Sequence, residues 1–598
     1  MIHPRLSLEA STLAARYASG QLRPSEVAEV VLERIAARGD DGVWISNTPR
    51  ATLLAAARAV EARRAAGDLL PLYGLPFAVK DNIDVAGVPT TAACPAFAYT
   101  PDTHAPVVAN LLAAGALCVG KTNLDQFATG LVGVRSPYGV AKNLFDARYI
   151  VGGSSSGSGV AVGAGLVSFA LGTDTAGSGR VPAAFNNIVG IKPSRGLLSA
   201  AGVVPACRSL DCVSVFALTV EDAARVADVA CGQASSFAPG ARPPRFRFGV
   251  LDPNAGGADF LGDARAKALH ERVLARLVEL GGTEVVLDPA PFHDAAALLY
   301  DGPFVAERLM ATGRLLSERP EAIDPAVREI LEGATRIDGR AVFAAQAELE
   351  TLRVRAQAQL AGVDFLVVPT TPTILEIAAV EADPLRRNAQ LGRYVNFVNL
   401  LDLAAIAVPA GFRDDGLPAG ATLIAPAGRD AALASFASAL HRATSDTLGA
   451  TGDPLPPAEP ATAMSPPPHW ISIAVAGAHL SGQPLNHQLT APGGRFLRAA
   501  RTAPAYRLYA LPGTTPPKPG VVRVRAGGVS LEVEVWSLPP DAFGAFVAKV
   551  PPPLCIGSVE LEDGSRVSGF LCEGHATDGA LDISSFGGWR KFLSRSDP

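Results

Sequence analysis

Two glycine-rich runs that contain serine lie close together in this chain of 598 residues. The first is 152–159 (GGSSSGSG) and the second is 173–180 (TDTAGSGR). Glycine beside a serine lets the backbone approach a substrate and directs several N–H groups to one point, which is how an oxyanion is held. With Lys80 upstream in the run AVKDN, the pattern predicts acyl transfer by a serine nucleophile that a lysine serves as base.

Each of these residues also has a simpler interpretation. Ser178 lies in a Gly-Ser-Gly turn before a predicted helix, where amides would point at an oxyanion, but it could equally cap that helix. Lys80 follows the apolar run 75–79, so partial burial would lower its pKa and leave a neutral amine as base. Taken alone, a lysine at a strand end is more often a solvated charge. Ser154 is close enough in sequence to relay a proton between the two.

Three other motifs are weaker. The run 153–157 matches the G-x-S-x-G nucleophile elbow around Ser155, but no histidine occurs between His104 and His270 to complete that triad. Glycines at 157, 159 and 163 miss the dinucleotide-binding spacing, and no phosphate loop follows. No cluster of histidine, cysteine and acidic residues has zinc spacing. We therefore expect a site without metal or cofactor.

Composition narrows the class of protein. Hydrophobic residues at 48% and charged residues at 18% indicate a globular chain, and its length requires more than one domain. A net charge of −5 disfavours nucleic acid and anionic membranes as partners. The seven cysteines are odd in number, scattered and without metal-ligand spacing, which indicates reduced thiols, and the N-terminus lacks a signal-peptide pattern. We expect a cytoplasmic homodimer that acts on a small molecule.

The secondary-structure elements that must position these residues form two regions with different sequence patterns. Up to residue 452, helical patterns alternate with short β-branched runs, which predicts an α/β domain. The segment 453–468 concentrates proline, as a stiff linker does. From 469 to 598, short alternating strands separated by Pro and Gly turns predict a smaller β-rich, barrel-like domain.

Several of these motifs, in this order, resemble the amidase signature family, whose fold is a large mixed sheet flanked by helices. The similarity covers roughly residues 5 to 445. The motifs that carry it are KDN (80–82), GKTN (120–123), SPYG (136–139), GGSSSGS (152–158), TDTAGSGRVP (173–182), DFLVVPT (364–370), NLLD (399–402) and VPAG (408–411).

The resemblance implies a Ser–cis-Ser–Lys triad. Ser178 would be the nucleophile, Ser154, preceded by a cis peptide bond, the relay, and Lys80 the base. The oxyanion hole would be the backbone N–H groups of the nucleophile and the residues before it, and an acid and a base would support the loop. These residues are Thr175, Ala176, Gly177 and Ser178 for the hole, with Asp174 and Arg180 in support.

The sequence departs from the family pattern at two positions. Ala176 replaces a glycine before the nucleophile, and Val151 replaces the proline that often precedes Gly-Gly-Ser-Ser. Alanine still donates an N–H group, although it cannot adopt a positive φ cheaply. We expect the site to be intact.

Substrate choice depends on other residues. The segment 298–308 (LLYDGPFVAER) resembles the substrate-binding stretch of allophanate hydrolases, which implies that Tyr300 and Arg308 hold the substrate. A guanidinium can grip the allophanate carboxylate with two parallel hydrogen bonds. Without the resemblance, an exposed helix arginine and a core tyrosine would be the preferred interpretation.

The C-terminal domain resembles the additional γ-glutamylcyclotransferase-like domain of allophanate hydrolases, through the run 477–489 (GAHLSGQPLNHQL) and two later strands. The resemblance implies breakdown of N-carboxycarbamate, the first product, to ammonia and CO2. His487 is the candidate base there because imidazole titrates near working pH, and His479 competes with it. The alternative is another amidase, or a glutaminase subunit, whose C-terminal domain serves dimerisation or docking.

Overall fold

The computed structural model describes residues 6–232, 237–240, 242–300, 302–457 and 470–594, except the side chain of Tyr300. Within these residues, eleven strands form one mixed sheet, in the order β1-β3-β2-β4-β6-β5-β10-β11-β9-β7-β8. The strands are β1 Trp44–Asn47, β2 Pro76–Lys80, β3 Leu117–Thr122, β4 Phe169–Asp174, β5 Val189–Lys192, β6 Cys212–Ala217, β7 Phe246–Leu251, β8 Gly282–Leu287, β9 Phe365–Pro369, β10 Leu403–Phe412 and β11 Pro418–Pro426.

Helices flank this sheet, as the alternating sequence pattern predicts. Their bounds are α1 Ala10–Ala18, α2 Pro24–Arg38, α3 Arg50–Ala65, α4 Pro106–Ala113, α5 Ser156–Gly163, α6 Val181–Phe185, α7 Val220–Cys231, α8 Ala264–Glu279, α9 Ala290–Tyr300, α10 Leu309–Glu318, α11 Pro325–Ala334, α12 Gly339–Leu360, α13 Ile377–Ala382, α14 Pro384–Leu391, α15 Phe397–Leu400 and α16 Asp430–Thr444. No helix of the described residues is both long and apolar enough to span a bilayer.

The centre of the sheet is closely packed. The strand β4 pairs in parallel with β2 and antiparallel with β6, and all its residues are buried. The helix α5 is buried along its whole length. A side chain at Gly157 would place its Cβ 2.2 Å from the carbonyl oxygen of Val43, so glycine is required there. The first serine-bearing run leads into α5 before β4, and the second begins with the last two residues of β4 and continues into the loop after it.

The C-terminal part forms two smaller sheets, with the orders β13-β16-β12-β18-β17 and β15-β14-β19. Its elements are β12 Ile471–Val475, α17 His487–Thr490, β13 Arg495–Arg501, β14 Tyr506–Ala510, β15 Pro519–Arg523, β16 Glu532–Leu538, α18 Pro540–Val547, β17 Leu554–Glu560, β18 Arg566–Cys572, β19 Leu581–Asp582 and α19 Trp589–Leu593. The predicted β-rich domain is confirmed, with its strands divided between two sheets rather than closed into one barrel.

The proposed linker 453–468 is described only up to residue 457, so most of it lies outside the described residues. The domain boundaries therefore stay a prediction. All seven cysteines are free thiols.

Candidate active site

Lys80 is the last residue of β2 and has no exposed surface. Its Nζ lies 2.7 Å from Ser154 Oγ and 2.8 Å from Thr173 Oγ1. Burial lowers the pKa of Lys80 to about 7, against the opposing attraction of Asp125, Asp174 and Asp211, which raises it. A large fraction of the amine is therefore neutral near pH 7, and neutral amine can take a proton from the Ser154 hydroxyl.

Ser154 lies directly before α5, and the peptide bond between Gly153 and Ser154 is cis. The backbone on either side is fixed, because Gly153 N donates to Leu131 O at 2.8 Å and Ser154 O accepts from Asp125 N at 3.0 Å. The side chain of Ser154 is fully buried. Its hydroxyl thus has a defined position against the lysine.

Ser178 lies in the loop between β4 and α6 and is 3% exposed. The loop is held by Asp174, whose carboxylate accepts Gly177 N at 2.8 Å and Gly179 N at 3.0 Å. Arg180 pairs with the same carboxylate at 2.9 Å, and both side chains are fully buried. Within the described residues, no hydrogen bond engages the Ser178 hydroxyl. This loop presents the Ser178 hydroxyl, the expected nucleophile, on a rigid support.

The oxyanion donors differ in one respect from the expectation. The N–H group of Gly177 is bound to Asp174 Oδ1, so it does not point to a substrate in this geometry. The amides of Thr175, Ala176 and Ser178 make no hydrogen bond among the described residues, and they are the donors that remain. Gly177 has another role, since its φ is 128° and a Cβ there would lie 2.5 Å from Val395 Cγ2.

The replacement of glycine by Ala176 has a simple structural explanation. The positive φ of this loop falls on Gly177, and Ala176 is not among the residues with positive φ. Ala176 packs instead into an apolar cluster with Cys207 and Leu210. Alanine at this position therefore imposes no backbone strain.

The rival nucleophile, Ser155, is fully buried, and its hydroxyl donates to the carbonyl oxygen of Thr173 at 3.2 Å. A hydroxyl used in this way fastens the first serine run to β4. The geometry favours a structural role for Ser155.

The two expected substrate-binding residues are on neighbouring elements. Tyr300 ends α9, and its side chain lies outside the described part. Arg308 ends the short 3-10 helix Pro303–Arg308, is 3% exposed, and its Nη1 donates to Thr129 Oγ1 at 2.8 Å. The interpretation of Arg308 as an exposed helix residue is therefore wrong.

Sequence reasoning missed three polar residues of the site. Thr173 binds the lysine amine, as described above. Asp125 accepts hydrogen bonds from the backbone N–H groups of Val132, Gly133 and Arg135 at 3.0 to 3.1 Å. These bonds fix the loop 132–135, which lies beside Gly153. Asp211 accepts the Thr175 hydroxyl at 2.5 Å. Their only sequence signal is adjacency to a motif or to a buried strand, which does not reveal which backbone groups they bind.

A second cleft lies in the C-terminal domain and is lined by His479, Gln488, Lys518, Lys549 and Phe546, among others. His479 Nε2 lies 3.1 Å from Gln488 Oε1. Burial lowers the pKa of His479 to about 4, and Lys518 adds to this shift, so its imidazole is neutral at pH 7.

His487, the candidate base, does not line this cleft. It begins α17, is exposed, and its Nδ1 lies 2.9 Å from Pro484 O. It faces a groove shared with the first domain, where Arg247 and Asp364 lie. Of the two histidines, His479 is therefore the one that lines this cleft.

Two family profiles match the chain: the amidase family over residues 26–434 and the allophanate hydrolase C-terminal domain over residues 471–594. The urea amidolyase of Saccharomyces cerevisiae is 43% identical over 579 residues, which are 92% of this chain and 31% of that protein. The chain thus spans about a third of the length of the curated urea amidolyases that it matches.

Among solved structures, the Kluyveromyces lactis allophanate hydrolase is 39% identical, with a TM-score of 0.75 over 98% of both chains. A glutamyl-tRNA(Gln) amidotransferase subunit from Symbiobacterium thermophilum is 37% identical over 73% of this chain and 97% of its own length. The similarity to the K. lactis protein extends through the C-terminal domain.

Proposed function

We propose, from the premise that the chain belongs to the amidase signature family and carries the allophanate hydrolase C-terminal domain, that it hydrolyses allophanate to ammonia and N-carboxycarbamate. The observation that carries the proposal is the similarity to the K. lactis allophanate hydrolase over both domains of one chain. The amidotransferase protein aligns to 73% of the chain only, which disfavours the glutaminase alternative.

In the proposed mechanism, neutral Lys80 takes a proton from Ser154, which takes one from Ser178. The Ser178 oxygen then attacks the carbonyl carbon that bears the NH2 group of allophanate. The negative oxygen of the tetrahedral intermediate accepts hydrogen bonds from the amides of Thr175, Ala176 and Ser178. The relayed proton returns to the leaving nitrogen, and ammonia departs.

Hydrolysis of the acyl-enzyme completes the first reaction. Water, deprotonated through the same hydroxyl relay, attacks the Ser178 ester, and the ester bond breaks with return of the proton to Ser178. The product, N-carboxycarbamate, carries a carboxylate at each end. Support for the base comes from the pKa of Lys80 and its 2.7 Å contact with Ser154.

Recognition of the substrate carboxylate is assigned to Arg308 together with Tyr300. The guanidinium of Arg308 is buried. Its positive charge lowers the pKa of Asp211, whereas burial raises it. Asp211 in turn binds Thr175 in the loop 175–178, here called the oxyanion loop. A cation at this depth favours a ligand with one negative charge over a neutral amide of the same shape.

The C-terminal cleft is the proposed site of the second breakdown, from N-carboxycarbamate to carbamate and CO2, and then ammonia and CO2. Lys518 and Lys549 line it, and their charges complement a dianion. Each loss of CO2 leaves an electron pair on nitrogen, which takes a proton from water, and His479, neutral at pH 7, hydrogen-bonds the substrate there. A cytoplasmic location and a homodimer stay predictions, which cell fractionation and sedimentation of the purified protein would check.

The decisive experiment measures ammonia release by purified protein from allophanate, biuret, urea, malonamate and glutamine. We expect allophanate to give the highest kcat/KM. Preference for glutamine or for a neutral amide would overturn the assigned substrate. Full activity of Ser178→Ala on allophanate would overturn the mechanism.

A further inference from the structure

The segment 206–211, here called the Asp211 loop, precedes β6 and is closed on itself. The backbone N–H groups of Leu210 and Asp211 donate to Cys207 O at 2.8 and 2.9 Å. The Asp211 carboxylate accepts the N–H groups of Ala206 at 2.9 Å and Cys207 at 3.2 Å. This loop is therefore held in one shape, with the carboxylate as its centre.

One side of the Asp211 loop binds the oxyanion loop. The hydroxyl of Thr175 donates to Asp211 Oδ1 at 2.5 Å. The Nδ2 group of Asn399 adds a second tie, because it donates both to Leu210 O at 3.0 Å and to Asp174 O at 2.8 Å. The Thr175 side chain is thus tied to the Asp211 loop directly, and the Asp174 carbonyl is tied to it through Asn399.

The opposite side of the Asp211 loop binds the element that carries Arg308. Glu307 Oε1 accepts Ser209 N at 2.8 Å, and Glu307 Oε2 accepts Ser209 Oγ at 2.6 Å. Cys207 Sγ donates to the same Oε2 at 3.0 Å. Glu307 precedes Arg308 directly, so this cluster fixes the start of the guanidinium side chain.

We propose that the Asp211 loop positions the two ends of the substrate at once: through Thr175 it sets the oxyanion donors, and through Glu307 it sets Arg308. Thr175, Asp211 and Glu307 act here as positioning residues. The Arg308 half of this inference rests on the proposed function, whereas the oxyanion half requires only that Ser178 be acylated.

The physical reason lies in the distances that catalysis demands. Oxyanion donors act at hydrogen-bond distance from an oxygen that exists only during reaction, and a misplacement of about 1 Å costs about 100-fold in rate. The Thr175 amide belongs to the residue whose hydroxyl Asp211 holds. Loss of the Thr175 hydroxyl should therefore destabilise the transition state more than the enzyme–substrate complex. A shift of Arg308 should instead weaken substrate binding.

The test is a pair of variants with opposite kinetic signatures. Thr175→Val removes the hydroxyl at constant shape, and we expect kcat for allophanate to fall by about 10- to 100-fold with KM within about twofold. Thr175→Ser should regain most of that loss. Glu307→Gln should raise KM by about tenfold with kcat within about threefold. Glu348→Gln, exposed on α12, is the matched control for the glutamate change.

Equal effects of Thr175→Val and Glu307→Gln on kcat and KM would overturn the proposal, as would wild-type kinetics in either. Circular dichroism at 222 nm checks that each variant folds. If Thr175→Val does not fold, Thr175→Ala takes its place with the same expected split, and Ser209→Ala replaces Glu307→Gln on the other side.

A readout independent of allophanate separates this inference from the proposed substrate. Labelling of Ser178 by a fluorophosphonate needs the nucleophile and the oxyanion donors but no substrate carboxylate. We expect Thr175→Val to slow labelling by at least tenfold and Glu307→Gln to leave it within twofold. If labelling follows this order while allophanate is not hydrolysed, the assigned substrate is wrong and the oxyanion half of the proposal holds.

A pH profile adds a signature that packing alone would not give. Burial raises the pKa of Asp211 to about 6, and the hydrogen bond from Thr175 opposes that shift. Protonation of Lys80 lowers the labelling rate of both proteins below about pH 7, and protonation of Asp211 should steepen that fall near pH 6 in the wild type. Without the Thr175 hydroxyl the pKa of Asp211 should rise further, so the rate of Thr175→Val should steepen at a higher pH. An unchanged position of this second break would contradict the link between these two residues.

Discussion

Lys80 Nζ and Ser154 Oγ lie 2.7 Å apart, and neither residue has exposed surface. Because burial brings the pKa of Lys80 to about 7, kcat/KM should rise with pH through about 7 and level off above it. A pH–rate profile measured from pH 5.5 to 9 checks this. Lys80→Arg keeps the charge at every pH in that range, and its activity should fall by at least about 1000-fold. A flat profile between pH 6 and 8 would contradict the assignment.

The same lysine should make stability depend on pH. The unfolded chain holds the Lys80 proton up to about pH 10.5, whereas the folded chain releases it near 7. The unfolding free energy should therefore rise with pH between these values, by at most about 1.4 kcal/mol per pH unit from this group. Lys80→Met should lose that slope. Urea unfolding midpoints at pH 7, 8 and 9 give the comparison, and identical slopes would exclude a lowered pKa.

The two candidate nucleophiles give contrasting variants. Ser178→Ala should abolish ammonia release and leave the melting temperature within a few degrees. Ser155→Ala removes one buried hydrogen bond to Thr173 O, which costs about 1 kcal/mol of stability, and should retain activity. Thermal unfolding together with ammonia assays distinguishes them. The reverse outcome would restore the nucleophile-elbow interpretation.

Arg308 should determine the preference for a charged substrate. Arg308→Gln should lower kcat/KM for allophanate by about 100- to 1000-fold, since a charge-assisted pair of hydrogen bonds is lost, and leave the value for neutral biuret within threefold. Arg314→Gln, which alters an exposed arginine on α10, is the matched control. Equal losses on the two substrates would assign Arg308 a structural role instead.

The buried pair of Asp174 and Arg180 supports the nucleophile loop. Arg180→Met leaves the carboxylate without its cation, and we expect a loss of about 3 to 5 kcal/mol in the unfolding free energy. Asp174→Asn with Arg180→Met should recover part of it. A double-mutant cycle by urea unfolding measures the coupling, and full additivity would contradict the pair's mutual dependence.

The C-terminal cleft predicts a separation of the two breakdown steps. His479→Ala should slow CO2 release from N-carboxycarbamate and leave the first ammonia release unaltered. His487→Ala, the matched control outside the cleft, should change neither. Stopped-flow detection of CO2 beside an ammonia assay follows both. Slower CO2 release in His487→Ala alone would favour His487 as the base.

The sequence is most informative where one local pattern determines one element. The apolar run before Lys80 predicts β2, and this strand is confirmed. The strand β13 and the helix α18 do not follow from the sequence, because β13 carries charged residues at intervals and α18 begins at Pro540, the second of two prolines. Local patterns are weak in both.

The residue types of the site can be predicted from the sequence, but the hydrogen bonds between these residues cannot. Lys80 and both serines follow from motif and resemblance. The capture of the Gly177 amide by Asp174 does not, since it depends on how the loop turns around a φ of 128°. Asp211 could not be chosen over other acidic residues, because its partner Thr175 is 36 residues away in sequence.

The bond from Asn399 to Asp174 O links residues that are 225 positions apart. During translation at about 5–20 residues per second, Ser178 leaves the ribosome roughly 10 to 40 s before Asn399 does. Throughout that interval the glycine-rich loop lacks one of its anchors, and β5 lacks its neighbour β10. We expect a nascent chain to stay inactive until Asn399 and β10 have emerged, so the onset of fluorophosphonate labelling during synthesis would time the completion of its first domain.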